Sequence, residues 1–170
     1  MEESTILGID PGTKYLGVAV IRGARLLSGG VHTLRNGHRP HDVIGQARSV
    51  VLKYIAKHAP SVVAVERPLL LPTKRAALVS VITEELRGRS ADLGMRVIEV
   101  SARDARRIVA GDPYAKKFDV ARVIARNHFP ELIGRLPRRP KNAVLGFNDR
   151  DRYWLHMFDA IAVALAVSAS

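Results

Sequence analysis

Residues 5–20 read TILGIDPGTKYLGVAV, and no other stretch restricts the fold as much. Ile6, Leu7 and Ile9 form a short apolar run that ends on a carboxylate, Asp10. Pro11-Gly12-Thr13 then makes a turn, because proline fixes φ and glycine accepts angles other residues avoid. Tyr15, Leu16, Val18 and Val20 start a second apolar run, so the stretch reads as two strands joined by a tight turn. A charge delivered to the end of a buried strand is costly unless something compensates it. A divalent cation would compensate Asp10. A turn-initiating aspartate before Pro-Gly is the plainer alternative, and this stretch alone does not choose between them.

Another apolar run, SVVAVE at 61–66, also ends on a carboxylate, Glu66, followed by Arg67-Pro68. Between the two runs lies a third strand at 25–34, RLLSGGVHTL, with a bulge expected at Gly29-Gly30. A helix follows, capped by Asp42, with Val43, Ile44, Ala47, Val50, Val51, Tyr54 and Ile55 at helical spacing, and it stops before Pro60. A strand reached through a helical crossover runs parallel to the first. Asp10 and Glu66 are then expected at the same end of neighbouring strands. That coincidence says more than either acid alone.

The remainder alternates in the same way. Thr73 opens a long helix over 73–93, with Ala76, Ala77, Val79, Ser80, Ile82, Thr83 and Leu86 inward, and MRVIEV at 95–100 is a strand. Ser101 caps a short helix that Gly111 ends. Residues 116–129 read as another amphipathic helix, 130–151 as an irregular segment broken by Pro137, Pro140 and Gly146, and 153–168 as an almost wholly apolar helix. Within that last helix His156 and Asp159 are three apart and so share a face. An aspartate among Met157, Phe158, Ile161, Ala162 and Val163 needs a partner. Asp10, Glu66, His156 and Asp159 thus form a candidate metal-binding and catalytic set. There is no cysteine, and carboxylate-rich sites without thiols suit Mg²⁺ or Mn²⁺. Two such ions about 3.5–4 Å apart can activate a water and stabilise a leaving oxygen in phosphodiester hydrolysis.

Charge points to the substrate class. The 170 residues carry 27 Lys or Arg against 16 Asp or Glu, a net +11, which favours a polyanionic partner, nucleic acid before membrane. Residues 103–152 hold thirteen Lys or Arg and six Asp or Glu, an excess of seven within fifty residues. Arg106, Arg107, Lys116, Lys117, Arg138, Arg139 and Lys141 are the candidate phosphate contacts. Aromatics make up only 5%, so phosphate contacts and shape outweigh base stacking. No apolar run approaches the roughly 20 residues that span a bilayer. The acidic N-terminus lacks the pattern of a signal peptide, and the protein is expected to be cytoplasmic.

GIDPGT at 8–13, VAVE at 63–66 and HMFDAIAVALA at 156–166 resemble the RuvC-type Holliday junction resolvases of the ribonuclease H-like superfamily. SARDARRIVAGDPYAKKFDVARVIARNHFP at 101–130 is similar to that family's stretch between the fifth strand and the last helix. The resemblance implies an α/β ribonuclease H-like fold, with a five-stranded mixed sheet in the order 3-2-1-4-5 flanked by helices, as a single nuclease domain over 1–170. It implies a metal-dependent endodeoxyribonuclease of the crossover junction type, acting on branched DNA in the form of the four-way (Holliday) junction. Asp10, Glu66, His156 and Asp159 are then ligands for Mg²⁺ or Mn²⁺, two ions per site, and Lys116 and Lys117 match the family's basic helix start. A homodimer is implied, with the helix at 73–93 as its interface element and Leu78, Val81 and Glu85 off the core stripe. A branch-migration helicase complex fits as a further partner. Where the family places an aromatic after the second acid, this chain has Arg67-Pro68-Leu69-Leu70-Leu71-Pro72. Two alternatives remain. One is a YqgF-type nuclease, whose opening hairpin is similar around Lys14 and Gly17-Val18. The other is a non-catalytic nucleic-acid binding module, against which the intact acidic set argues.

Overall fold

The computed structural model describes residues 3–35, 39–137 and 149–169. Five strands form one sheet in the order β3-β2-β1-β4-β5. Strands β1 (Thr5–Asp10), β2 (Tyr15–Arg22) and β3 (Arg25–Thr33) make an antiparallel meander. Helix α1 (Pro40–His58) crosses over to β4 (Val62–Glu66), which pairs parallel to β1 with Ile9 opposite Val65. Helix α2 (Lys74–Asp92) crosses to β5 (Arg96–Val100), parallel to β4. The expected strand order and directions are those observed, and Asp10 and Glu66 do lie at the same end of adjacent strands.

The sheet is covered on both faces, which is why β1 and β4 read as unbroken apolar runs. Leu7, Ile9, Val18, Val20, Val63 and Val65 pack against α1 and α2 through Val43, Ala47, Val51, Ile82 and Leu86. On the other face, Ile6, Ala19, Ile21 and Ala64 pack against α3 (Ala102–Ala110), α4 (Lys117–Val123) and α5 (Asp149–Ser168). Helix α5 lies against the sheet on one side and against α3 and α4 on the other, so its apolar residues are buried nearly all round.

Two glycines set how closely α5 approaches. A Cβ on Gly8 would sit 2.2 Å from the Ala160 carbonyl oxygen, and one on Gly17 would sit 1.9 Å from that of His156. Gly17 is the register partner of Asp10. The helix backbone therefore rests directly on the strand beside Asp10.

Some local expectations differ. The β2–β3 irregularity falls at Leu27, since Val20 pairs with Ser28 and Ile21 with Leu26, and Gly29 and Gly30 stay in register. Helix α1 begins at Pro40, with Arg39 in the extended cap position and Asp42 inside the first turn rather than capping it. The helix expected over 116–129 is α-helical only to Val123 and continues as a π-helical turn, Ile124–His128. A 3₁₀ turn, Pro130–Arg135, follows within the segment read as irregular. Helix α5 starts four residues before the expected Tyr153. Thr73 and Ser101 cap α2 and α3 as expected, and Gly111 ends α3 at φ 75°.

Candidate active site

Three carboxylates converge at the C-terminal ends of β1 and β4. Asp10 comes from β1, Glu66 from β4 and Asp159 from α5, with one ligand oxygen of each lying within 4.8 Å of the others. Asp10 and Asp159 are buried, 7% and 9% exposed. Strand alternation turns Glu66 toward the α5 face, as Ala64 is, while Val63 and Val65 face α2.

His156 lies beside this group rather than within it. Its Nδ1 is 2.7 Å from Asp10 Oδ2, and its ring is tilted against that of Tyr15 with centroids 5.5 Å apart. The close approach of α5 at Gly17 puts it there. Lys117, the first residue of α4, donates to Asp159 Oδ2. Of the remaining candidate cations, Arg106 acts on the Glu66 carboxyl, Arg107 is paired with Asp104 at 2.5 Å, and Lys116 is exposed at the α4 cap position. Arg138, Arg139 and Lys141 lie outside the described residues.

The electrostatics are those of crowded like charges. Burial, then the charges of Asp10 and Asp159, push Glu66 up to about 8, against the opposing pull of Lys117 and Arg106. Burial also raises Asp159, although Lys117 opposes it. Burial works against the Lys117 ammonium, yet Asp159, Asp10 and Glu66 outweigh it and hold that amine well above its ordinary value. Three hard oxygen donors from three separate elements, strained by their mutual repulsion, fit a hard divalent cation. The cluster opens onto a cleft of about 310 Å³ lined also by Arg67, Leu69, Leu71, Arg75 and Lys117. Arg67 and Arg75 were not among the sequence candidates; Arg67 directly follows Glu66, and that adjacency was the available signal.

Residues 6–128 match the family of the crossover junction endodeoxyribonuclease RuvC. The chain belongs to that family. The matched region carries Asp10, Glu66, Arg106 and Lys117 and ends before α5, so His156 and Asp159 are joined to it by the structure. Similar solved structures include Thermus thermophilus RuvC, 24% identical with a TM-score of 0.70 over 95% of this chain and 92% of that one. The T. thermophilus RuvC structure in complex with Holliday junction substrate is 22% identical, with a TM-score of 0.71 over 96% and 91% of the two chains. The yeast mitochondrial Holliday junction resolvase Ydc2 is 15% identical, with a TM-score of 0.61 over 98% and 80%. At these identities the likeness bears on the fold. No curated protein matches the sequence.

Proposed function

We propose that this chain hydrolyses phosphodiester bonds in four-way DNA junctions, using divalent cations held by Asp10, Glu66 and Asp159. The observation that carries this reading is the convergence of three carboxylates from three elements in a protein whose net charge is +11. When bound, a pair of Mg²⁺ or Mn²⁺ ions supplies a more acidic water and charge neutralisation at the phosphate. Asp10 and Glu66 present their oxygens from neighbouring strand ends, and α5 brings Asp159 to them. Asp10 orients the His156 ring through Nδ1. That leaves Nε2 to ligate or to take a proton from the attacking water. Lys117, beside Asp159, places a fixed positive charge where the DNA backbone must approach. Arg106, Arg107 and Lys116 extend this basic surface along the backbone, and Arg138, Arg139 and Lys141 are further phosphate contacts.

The wider assignment is one nuclease domain that works in the cytoplasm as a homodimer, cutting two strands at symmetric points. A branch-migration helicase complex is its proposed partner. Among the described residues no helix is long and apolar enough to cross a membrane. The test is digestion of a panel of four-way, three-way, flapped and linear DNAs, with matching RNA-containing versions, in Mg²⁺ and Mn²⁺. Paired symmetric cuts confined to the four-way junction are expected. Preferential cutting of an RNA-containing substrate would replace this reading with the YqgF-type one.

A further inference from the structure

The loop after Glu66 places a cation on the cleft onto which the acidic trio opens. Arg67 lines the same cleft as Asp10, Glu66 and Lys117, and its side chain is 59% exposed. A guanidinium on a flexible stem beside three crowded carboxylates is attracted toward them, and it would occupy the position a metal ion needs. In the structure it is held elsewhere. Its Nε donates to Glu99 Oε2 at 3.3 Å, and the other oxygen of that carboxylate accepts from Arg87 Nη1 at 2.5 Å. Arg87, on α2, also donates to Glu84 at 3.0 Å. One β5 carboxylate thus ties the loop to the helix behind the sheet.

The backbone explains why this arrangement separates the charges. The Arg67 amide donates to the Val100 carbonyl at 2.9 Å, extending the β4–β5 pairing by one residue. Alternation then sends the Arg67 side chain to the face opposite Glu66. On β5, Ile98 packs on the α5 face and Val97 on the α2 face, so Glu99 lies on the α2 face with Arg67. The cations that act most on the Glu66 carboxyl are Lys117 and Arg106, neither of them its sequence neighbour.

We infer that Glu99 is a positioning residue of the metal site: it holds Arg67 on the α2 side of the sheet and keeps that cation from competing with a divalent ion for Asp10, Glu66 and Asp159. This rests on the metal-dependent reading above, and its test needs no DNA. Mn²⁺ binding is titrated into the metal-free protein and its variants, with free Mn²⁺ followed by electron paramagnetic resonance and folding by thermal melts. Glu99→Ala should weaken Mn²⁺ binding by about tenfold, the scale of loss on removing a residue that supports a ligand set. Glu99→Gln, whose single amide oxygen can accept from only one of the two arginines, should fall between. Adding Arg67→Ala to Glu99→Ala should restore the parental affinity, because the competing cation is then gone. Should Glu99→Ala fail to fold, Glu99→Gln with and without Arg67→Ala gives the same comparison. Parental affinity in the Glu99 variants overturns the inference, as does a double variant no better than the single one, since Glu99 would then act only through the fold. A parent protein that binds no Mn²⁺ overturns both this inference and the metal-dependent reading; a parent that binds it, with no Glu99 effect, overturns this one alone.

Discussion

Asp10 faces three charged or polar groups at once: Glu66 and Asp159 across the cluster, and the His156 ring at 2.7 Å. None of them is a DNA phosphate, so the residue should matter for chemistry and little for affinity. Asp10→Asn is expected to abolish cleavage while gel-shift binding of a four-way junction stays near parental, and full activity in that variant would remove Asp10 from the site. The substitution also removes a charge that raises Glu66, so the metal-free melting temperature should not fall. A pH dependence follows from the same crowding. Glu66 titrates near 4.5 when unfolded and about 8 when folded, so between those values the folded state keeps a proton the unfolded state has lost. Stability from this group is therefore greatest at low pH and declines as pH rises toward about 8. His32 and His58 act in the opposite sense: burial lowers both below 6.5, so their contribution is lost only as pH falls below that value. Between pH 6.5 and 8 the histidines no longer oppose the Glu66 effect, and Asp159, which burial also raises, acts in the same sense as Glu66. Melts in chelator should drop over that interval, and the stabilisation added by Mg²⁺ should grow, because ligation requires the deprotonated acid. A flat metal-free profile would mean the three acids do not repel as their geometry implies.

The elements that were readable in the sequence are those whose burial leaves a pattern. Strands β1, β4 and β5 are short apolar runs between turn signals, and α5 is apolar on nearly every side because it is enclosed. The acids stood out for the same reason, each being a charge in an apolar setting. What could not be read depends on contacts between elements. Gly29-Gly30 looked like a bulge, yet the extra residue is Leu27, and the Gly29 position lies near the Met157 sulfur, 3.5 Å from where a Cβ would be. The π-helical turn is closed by Phe129 donating to the Ile124 carbonyl at 2.9 Å, and Phe129 is buried; an apolar stripe does not distinguish that from α-helix. The Lys117–Asp159 pair and the Arg67–Glu99 link are set by how α4 meets α5 and how the loop crosses β5, which no local spacing encodes. Gly17 was part of a motif, and its physical role is now specific. Gly17→Ala would press a Cβ onto the His156 carbonyl, a backbone atom that cannot swing aside. A destabilisation of about 1–3 kcal/mol is expected, as for other overpacked contacts. Cleavage should fall further than stability accounts for, since α5 carries both His156 and Asp159. Urea unfolding and single-turnover cleavage on the same preparation check this; parental values in both would mean that α5 does not lie on this strand.

At the scale of the molecule, a strongly basic chain carries an acidic cluster among its described residues, and the proposed paired cleavage needs that cluster presented to DNA twice. Arg138, Arg139 and Lys141 are proposed phosphate contacts, so replacing them by Ala should weaken binding to any DNA. Each lost phosphate contact should reduce the log–log salt slope by about 0.9, and an unchanged slope would make them mere solvated surface. Symmetric cutting asks for more, because one acidic cluster per chain cannot cut two strands in a single encounter. A two-fold dimer supplies the second cluster automatically, since an isologous contact places identical sites about one axis. Helix α2 has the surface for it, though not with all the residues the sequence suggested. Leu78 packs partly into the core, and Glu85 is held by Arg48 at 2.9 Å and Arg89 at 3.1 Å. Val81 remains 51% exposed, on a stripe with exposed Ala77, Glu84 and Gly88 at helical spacing. Just before α2, Leu69, Leu70 and Leu71 are exposed as well, and Leu69 and Leu71 line the active cleft. A stripe of small and apolar residues, interrupted by Glu84 and leading to the cleft, suits a second copy of α2. Light scattering at tens of micromolar should therefore give a dimer. Val81→Glu should shift it toward monomer, slow the second cut and let nicked junctions accumulate while each monomer keeps its Mn²⁺ site. A parent protein that stays monomeric with and without junction DNA would leave paired cleavage without a mechanism, and the chain would then be a nuclease that cuts one strand at a time.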